Sequence, residues 1–296
     1  LVDSKRSFEK EYSALALSNE DYKSLQNDFR LFSCKIEQYK SLTENIAVLD
    51  NCPDNELLPR CDNQIVSSCY GEIAYENDEV YFGEIINDEP NGVGVFTDKY
   101  SQSYWGKFKN GEQYSFGYMT DDSGRVISRG EFKNDLQNGQ GEDFYYEPNG
   151  YFKGEFLDGE AHGEGIEVAS EYIYKGSYKQ GVRSGRGSYF DIHGDEYNGM
   201  YEDGARHGRG VLKSPGDGEY KGDFKFGLAE GIGTKIYDDG SLYEGSWSRN
   251  KYHGFGKYTF PDGETHSGIF HYGKLNDENA EINTKNATCK GGRIND

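Results

Sequence analysis

Fifty-two carboxylates, six histidines and five cysteines are the groups in this 296-residue sequence that could do chemistry. Two carboxylates about 5–9 Å apart can hydrolyse a glycoside. The adjacent acids here, Asp121-Asp122 and Asp238-Asp239, sit in turn-like stretches where an Asp side chain bonds its own backbone. His162, His207 and His253 each precede a recurring glycine. Four strands separate neighbours in that series, roughly 19 Å at about 4.8 Å per strand, far beyond a shared metal shell with bonds of about 2 Å. No GxxxxGK[ST] loop and no G-x-S-x-G elbow occurs, and each Gly-x-Gly opens a strand and not a helix that could cradle an anion. The expectation is a chain with no catalytic residue, no metal and no cofactor.

The cysteines stand at 34, 52, 61, 69 and 289, matching no CxxC zinc spacing. In an oxidising compartment Cys52, Cys61, Cys69 and Cys289 can form two bridges and leave Cys34 free; in cytosol all five are thiols. The sequon Asn286-Ala287-Thr288 marks Asn286 as a glycosylation candidate. The sequence starts at Leu1 without a methionine, so an N-terminal piece, a signal peptide among the candidates, is expected to have been removed or left out of the numbering. A net charge of −20 argues against nucleic acid, because phosphate binding draws on released counterions. No run of eighteen apolar residues is present to span a bilayer as a helix.

These groups must be positioned by a chain with 34% hydrophobic residues, 40 glycines, 25 tyrosines and a mean hydropathy of −0.90. That composition points to thin layers of rings and not to a thick aliphatic core. Aligned on the glycine two residues after a tyrosine, or after Ser128, Phe152 or His266 in its place, the sequence repeats at 83, 106, 130, 154, 176, 199, 222, 245 and 268, at intervals of 22 to 24. A second glycine follows nine residues later and a third two beyond that. The unit is Y-x-G-x-aromatic, a polar turn, then G-x-G and a short aromatic strand. Ile85, Ser115 and Ser128 depart from it in the first three units.

Segments such as YKGSYKQGVRSGRGSYF and YNGMYEDGARHGRGVL resemble the MORN (membrane occupation and recognition nexus) repeat. The resemblance covers residues 69 to about 275. It implies scaffolds that link membranes or cytoskeletal structures, cilia included, to other proteins, and phospholipid recognition has been proposed for the family.

Strand parity sets what one unit can do. Tyr243, Gly245 and Trp247 share one face and Glu244, Ser246 and Ser248 the other; Gly254, Gly256, Tyr258 and Phe260 share the ring face on the returning strand, with Phe255, Lys257 and Thr259 on its reverse. The glycines give room for a ring from the adjacent strand to lie on bare backbone. Turn signals such as Phe260-Pro261-Asp262-Gly263 join hairpin to hairpin. The predicted fold is mainly β, an elongated single-layer twisted antiparallel meander of these hairpins, about 80 Å long at about 4.8 Å per strand, preceded by an α-helical segment.

The organisation expected is a helical segment at 1–50, a cysteine-containing linker at 51–68, the repeats at 69–275 and a polar tail at 276–296. Tyr22, Leu25, Phe29, Phe32, Ile36 and Tyr39 form a heptad seam that can self-associate, bind a partner or lie on the sheet. The row Tyr81, Tyr104, Phe152, Tyr174, Tyr197, Tyr220 and Tyr243, with Trp247, is the candidate surface for helical or extended segments of other proteins; the alternative is that these rings pack on their own glycines. The expected role is a non-catalytic scaffold in the cytoplasm, at cytoskeleton or cilium. Two alternatives are a phospholipid tether using Lys175, Lys179, Arg183, Arg186, Arg206 and Arg209, and a secreted carbohydrate-binding or surface-fibre protein.

Overall fold

The computed structural model describes Cys34, Gln38 and residues 58–61, 68–145, 150–276, 280–284 and 287–290. The described residues divide into two units, Val2–Gly165 and Ile166–Asp296, both built of antiparallel hairpins. Cys34 and Gln38 are helical. The seam residues Tyr22, Leu25, Phe29, Phe32, Ile36 and Tyr39 lie outside the described residues, as do Cys52 and Asn286.

In the first unit the strands β1 (Ser68–Ala74), β2 (Val80–Ile86), β3 (Glu89–Thr97), β4 (Ser103–Lys109), β5 (Glu112–Thr120), β6 (Val126–Lys133), β7 (Leu136–Phe144) and β8 (Tyr151–Leu157) pair in chain order. β9 (Glu160–Val168) carries the chain onward. In the second unit β10 (Tyr172–Lys179), β11 (Val182–Asp191), β12 (Glu196–Glu202), β13 (Ala205–Ser214), β14 (Gly218–Lys225), β15 (Leu228–Ile236), β16 (Leu242–Ser248), β17 (Lys251–Thr259) and β18 (Thr265–His271) do the same. The repeat glycines pair with one another across every one of these ladders, as in Gly233↔Gly245↔Gly256↔Gly268, so a bare-backbone row crosses each unit's strands.

The three glycine positions have different reasons. The first and third form that row. The second, at Gly185 and Gly254 among others, has a positive φ (72° and 68°) and sits where the hairpin register slips by two residues; a β-bulge needs this left-handed conformation. Two-residue tips with both φ values positive close the hairpins, as at Asn110-Gly111 and Asp203-Gly204, the type I′ geometry that matches strand twist. Most tips are stitched to the preceding hairpin, as where Gly204 N–H donates to Arg183 O at 3.0 Å and Gly227 N–H to Arg206 O at 2.9 Å.

Sheet edges are covered by short additions. Residues 59–61 run beside β1, with Tyr70 N–H on Pro59 O and Cys61 N–H on Tyr70 O, both 2.8 Å, and a disulfide joins Cys61 to Cys69. Cys34 is buried and also disulfide-bonded, where the cysteine count left it as the odd thiol. On β18, β19 (Lys274–Leu275) and the hairpin β20 (Glu281–Thr284) with β21 (Ala287–Lys290) add pairing. The described part of the polar tail thus continues the sheet, capping an edge that would otherwise expose unpaired backbone groups. Cys289 lies in β21.

Candidate functional site

The row predicted as a partner surface is the core of the sheet. Tyr81, Tyr104, Phe152, Tyr174, Tyr197, Tyr220, Tyr243 and Trp247 are all buried. Each of the seven row rings lies on a third-position glycine: a Cβ on Gly256 would stand 2.2 Å from the Tyr243 hydroxyl, and one on Gly210 would stand 2.4 Å from that of Tyr197. The tyrosine hydroxyls are spent on their own strand. Tyr197 donates to Met200 O at 2.9 Å, Tyr220 to Asp223 O at 2.9 Å and Tyr243 to Ser246 O at 3.0 Å.

On an open sheet these rings need cover from the side and from above, and the repeat supplies both. Tyr197 is held edge-on between Tyr201 and Phe224 at 5.3 and 5.1 Å, Tyr220 between Phe224 and Trp247 at 5.1 and 4.9 Å, and Tyr243 between Trp247 and Phe270, each at 5.2 Å. Such contacts contribute about 0.5–1.5 kcal/mol beyond area burial. Above the rings stand the residues that begin the returning strands: Arg183 lies 4.5 Å over Tyr174, Arg206 5.7 Å over Tyr197, and Tyr252 stacks on Tyr243 at 3.7 Å. Burial pushes the Tyr197 and Tyr243 hydroxyls up to about 12.

Arg183 is fixed by Glu167, which also accepts from the hydroxyls of Tyr172 at 2.8 Å and Tyr178 at 2.9 Å. Burial alone would push the Glu167 carboxyl up, but Arg183 and the two hydroxyls hold it below the ordinary carboxylate range. The six cations of the lipid-tether alternative do not share a face. Arg183 and Arg206 cover rings, Lys175, Arg186 and Arg209 stand on the reverse, and Lys179 is at a hairpin tip.

The reverse face, expected to be mainly polar, carries the accessible apolar groups. In the second unit Met200, Ile232, Phe255 and Ile269 are 40%, 64%, 70% and 51% exposed. They occupy equivalent positions next to the glycine row on β12, β15, β17 and β18. A groove of about 720 Å³ runs along that row, floored by glycines and bordered by Arg186, Met200, Arg209, Lys221, Asp223 and Ile232. In the first unit the equivalent Val93, and Val95 of the neighbouring row, are buried against Trp105 and Phe116. The signal lies in the sequence as the residue after each first glycine and before each third, positions that alternate with the rings.

A family model for the MORN repeat matches residues 81–99, 129–142, 152–170, 174–191, 197–218, 220–242 and 243–265. These segments coincide with the hairpins just described. The chain belongs to the MORN-repeat family. No curated protein matches the sequence significantly. Among solved structures, the SAS-4 (dCPAP) TCP domain in complex with a proline-rich motif of Ana2 (dSTIL) of Drosophila melanogaster aligns with 81% of this MORN-repeat chain and 98% of its own length, at 8% identity and a TM-score of 0.29. At that score the likeness carries no argument about function.

Proposed function

We propose that this MORN-repeat chain is a non-catalytic scaffold that docks another polypeptide on the reverse face of its second unit, as part of a larger assembly. The observation that carries the reading is the row Met200, Ile232, Phe255 and Ile269. The sheet is already held together from its other side by rings on glycine, so these four exposed side chains contribute little to its own core, and contiguous exposed apolar surface marks interaction sites. The ring side is sealed by the chain's own Arg183, Arg206 and Tyr252, which moves docking from the aromatic face to the reverse.

Cross-linking in native extract tests it. Lys221 and Lys257 are exposed and flank the row, so both should link to another polypeptide, and Phe255→Glu should abolish those links. A link pattern indifferent to Phe255→Glu would contradict the reading. The location is a second proposal. The Cys61–Cys69 bridge and the bonded Cys34 favour an oxidising compartment over the cytoplasm, and with five cysteines alkylation at one before reduction and at all five after it is the expected result. Full alkylation without reduction would return the chain to the cytoplasm.

A further inference from the structure

The reverse face of the second unit is complementary to itself. Two rows of side chains flank its glycine floor. One runs Arg186, Met200, Arg209, Asp223, Ile232, Ser246, Phe255 and Ile269 from β11 to β18; the other holds Val211, Lys221, Thr234, Glu244 and Lys257 from β13 to β17. A two-fold axis parallel to β15, above Ile232, lays each strand over the one equally far on the other side of β15. β14 then meets β16, β13 meets β17 and β12 meets β18, at the same height along the strand because the paired glycines fix that height.

Under this operation the apolar groups and three of the charged groups of the central strands find suitable opposites, while Asp223 faces Ser246 and Lys257 faces Val211. Ile232 meets Ile232, and Met200 meets Ile269. Arg209, whose side chain is 93% exposed and whose nearest carboxylate contact, Asp223, is 3.7 Å away, lies over Phe255, an arrangement worth about 0.5–2 kcal/mol when the cation is desolvated. Lys221 meets Glu244, both exposed, and the symmetry makes that pair twice. The two glycine floors then face each other and the flanking rows meet end to end, at the separation of about 10 Å at which sheets pack face to face.

We propose that the partner on this face is a second copy of the chain, forming an isologous two-layer sandwich about β15. The proposal rests on the docking reading above and names its occupant; charge complementarity chooses a second copy over an unrelated segment, since Lys221 and Glu244, and Arg209 and Phe255, are each matched by the face itself.

Sedimentation velocity of the purified full chain tests it. The wild type should be a dimer, and Ile232→Asp with Phe255→Glu should weaken it by about 100-fold or more while leaving the β-sheet circular dichroism unchanged, since both residues are exposed. Lys221→Glu or Glu244→Lys alone should weaken the dimer by about tenfold, and K221E with E244K together should restore it. A monomeric wild type, a dimer insensitive to Phe255→Glu, or a double swap no better than either single would overturn the proposal. A monomer whose cross-links in native extract still depend on Phe255 overturns the second copy alone and leaves docking of a different protein standing; loss of that dependence removes both.

Discussion

The hairpin at Tyr243 and the hairpin at Ser128 are built on the same backbone pattern with and without its ring. At Tyr243 the ring covers Gly256, is covered by Tyr252 and is wedged by Trp247 and Phe270. At Ser128 the row ring is missing, and Gly141 is covered instead by Gln137, the Phe156 ring and the Arg129 carbonyl oxygen, whose nearest atoms are each 3.1 Å from where a Cβ would stand. Polar groups fill the layer: Ser128 Oγ, Gln137 Nε2 and Asp143 Oδ1 are buried there. Burial pushes the Asp143 carboxyl above its ordinary range, with Ser128 and Gln137 opposing. The reverse side of the same strands is also polar, with Glu142 bound by Arg129 at 2.5 Å and Lys153 at 2.7 Å. The backbone therefore tolerates loss of one ring, and the ring layer is a stabilising device repeated along the sheet and not a geometric requirement of each hairpin.

The largest expected effect breaks the layer where it is complete. Gly256→Ala puts a methyl into the Tyr243 ring and should cost about 3 kcal/mol, whereas Gly141→Ala, where a flexible glutamine can give way, should cost about 1 kcal/mol; urea denaturation of the two variants measures the gap. Alkali attacks the same layer. Tyr197 and Tyr243 release protons at about 10 when unfolded but are pushed up to about 12 when folded, so their share of stability is full below pH 10 and lost as pH rises to 12. The share of tyrosinate absorbance that belongs to the buried row should therefore appear together with loss of circular dichroism, after that of exposed tyrosines such as Tyr100 and Tyr272. A tyrosinate signal that saturates near pH 10 with the sheet intact would show accessible rings.

Smaller effects sharpen the contrast at Ser128. Asp143→Asn should stabilise by about 1 kcal/mol at neutral pH, and the gain should vanish in acid, because a carboxyl with a raised folded pKa costs stability only as it ionises. Glu142 and Glu167 have the opposite sign: their folded pKa values are lowered, so their contributions are lost as pH falls. Ser115 holds the second-glycine position of its unit at φ 63°, and Ser115→Gly should gain about 0.5–1 kcal/mol by relieving left-handed strain, read in the same denaturation series.

Much of this was legible in the sequence. The 23-residue period, the antiparallel hairpins and the seating of rings on glycine follow from parity and the absence of a Cβ. Three things were not. The bulges at the second glycines bring Arg183, Arg206 and Tyr252 over the rings, and a register slip of two leaves no mark in residue alternation, so the closure of the ring face was hidden. The apolar reverse row was masked because Met200, Ile232, Phe255 and Ile269 alternate with Arg209, Asp223 and Ser246. The β20–β21 hairpin is four residues per strand and polar, held by the demand of the β18 edge for partners and by the burial of Ala280, neither of which local composition carries.

Hydroxyl-radical footprinting of the purified chain tests most directly the claim that the tyrosine row is a closed core. Tyr197, Tyr220 and Tyr243 should be protected, while Phe226 and Tyr272, 71% and 60% exposed at hairpin tips, are modified rapidly and serve as internal standards. Modification of the row tyrosines at the rate of Tyr272, in a chain whose circular dichroism is intact, would contradict it.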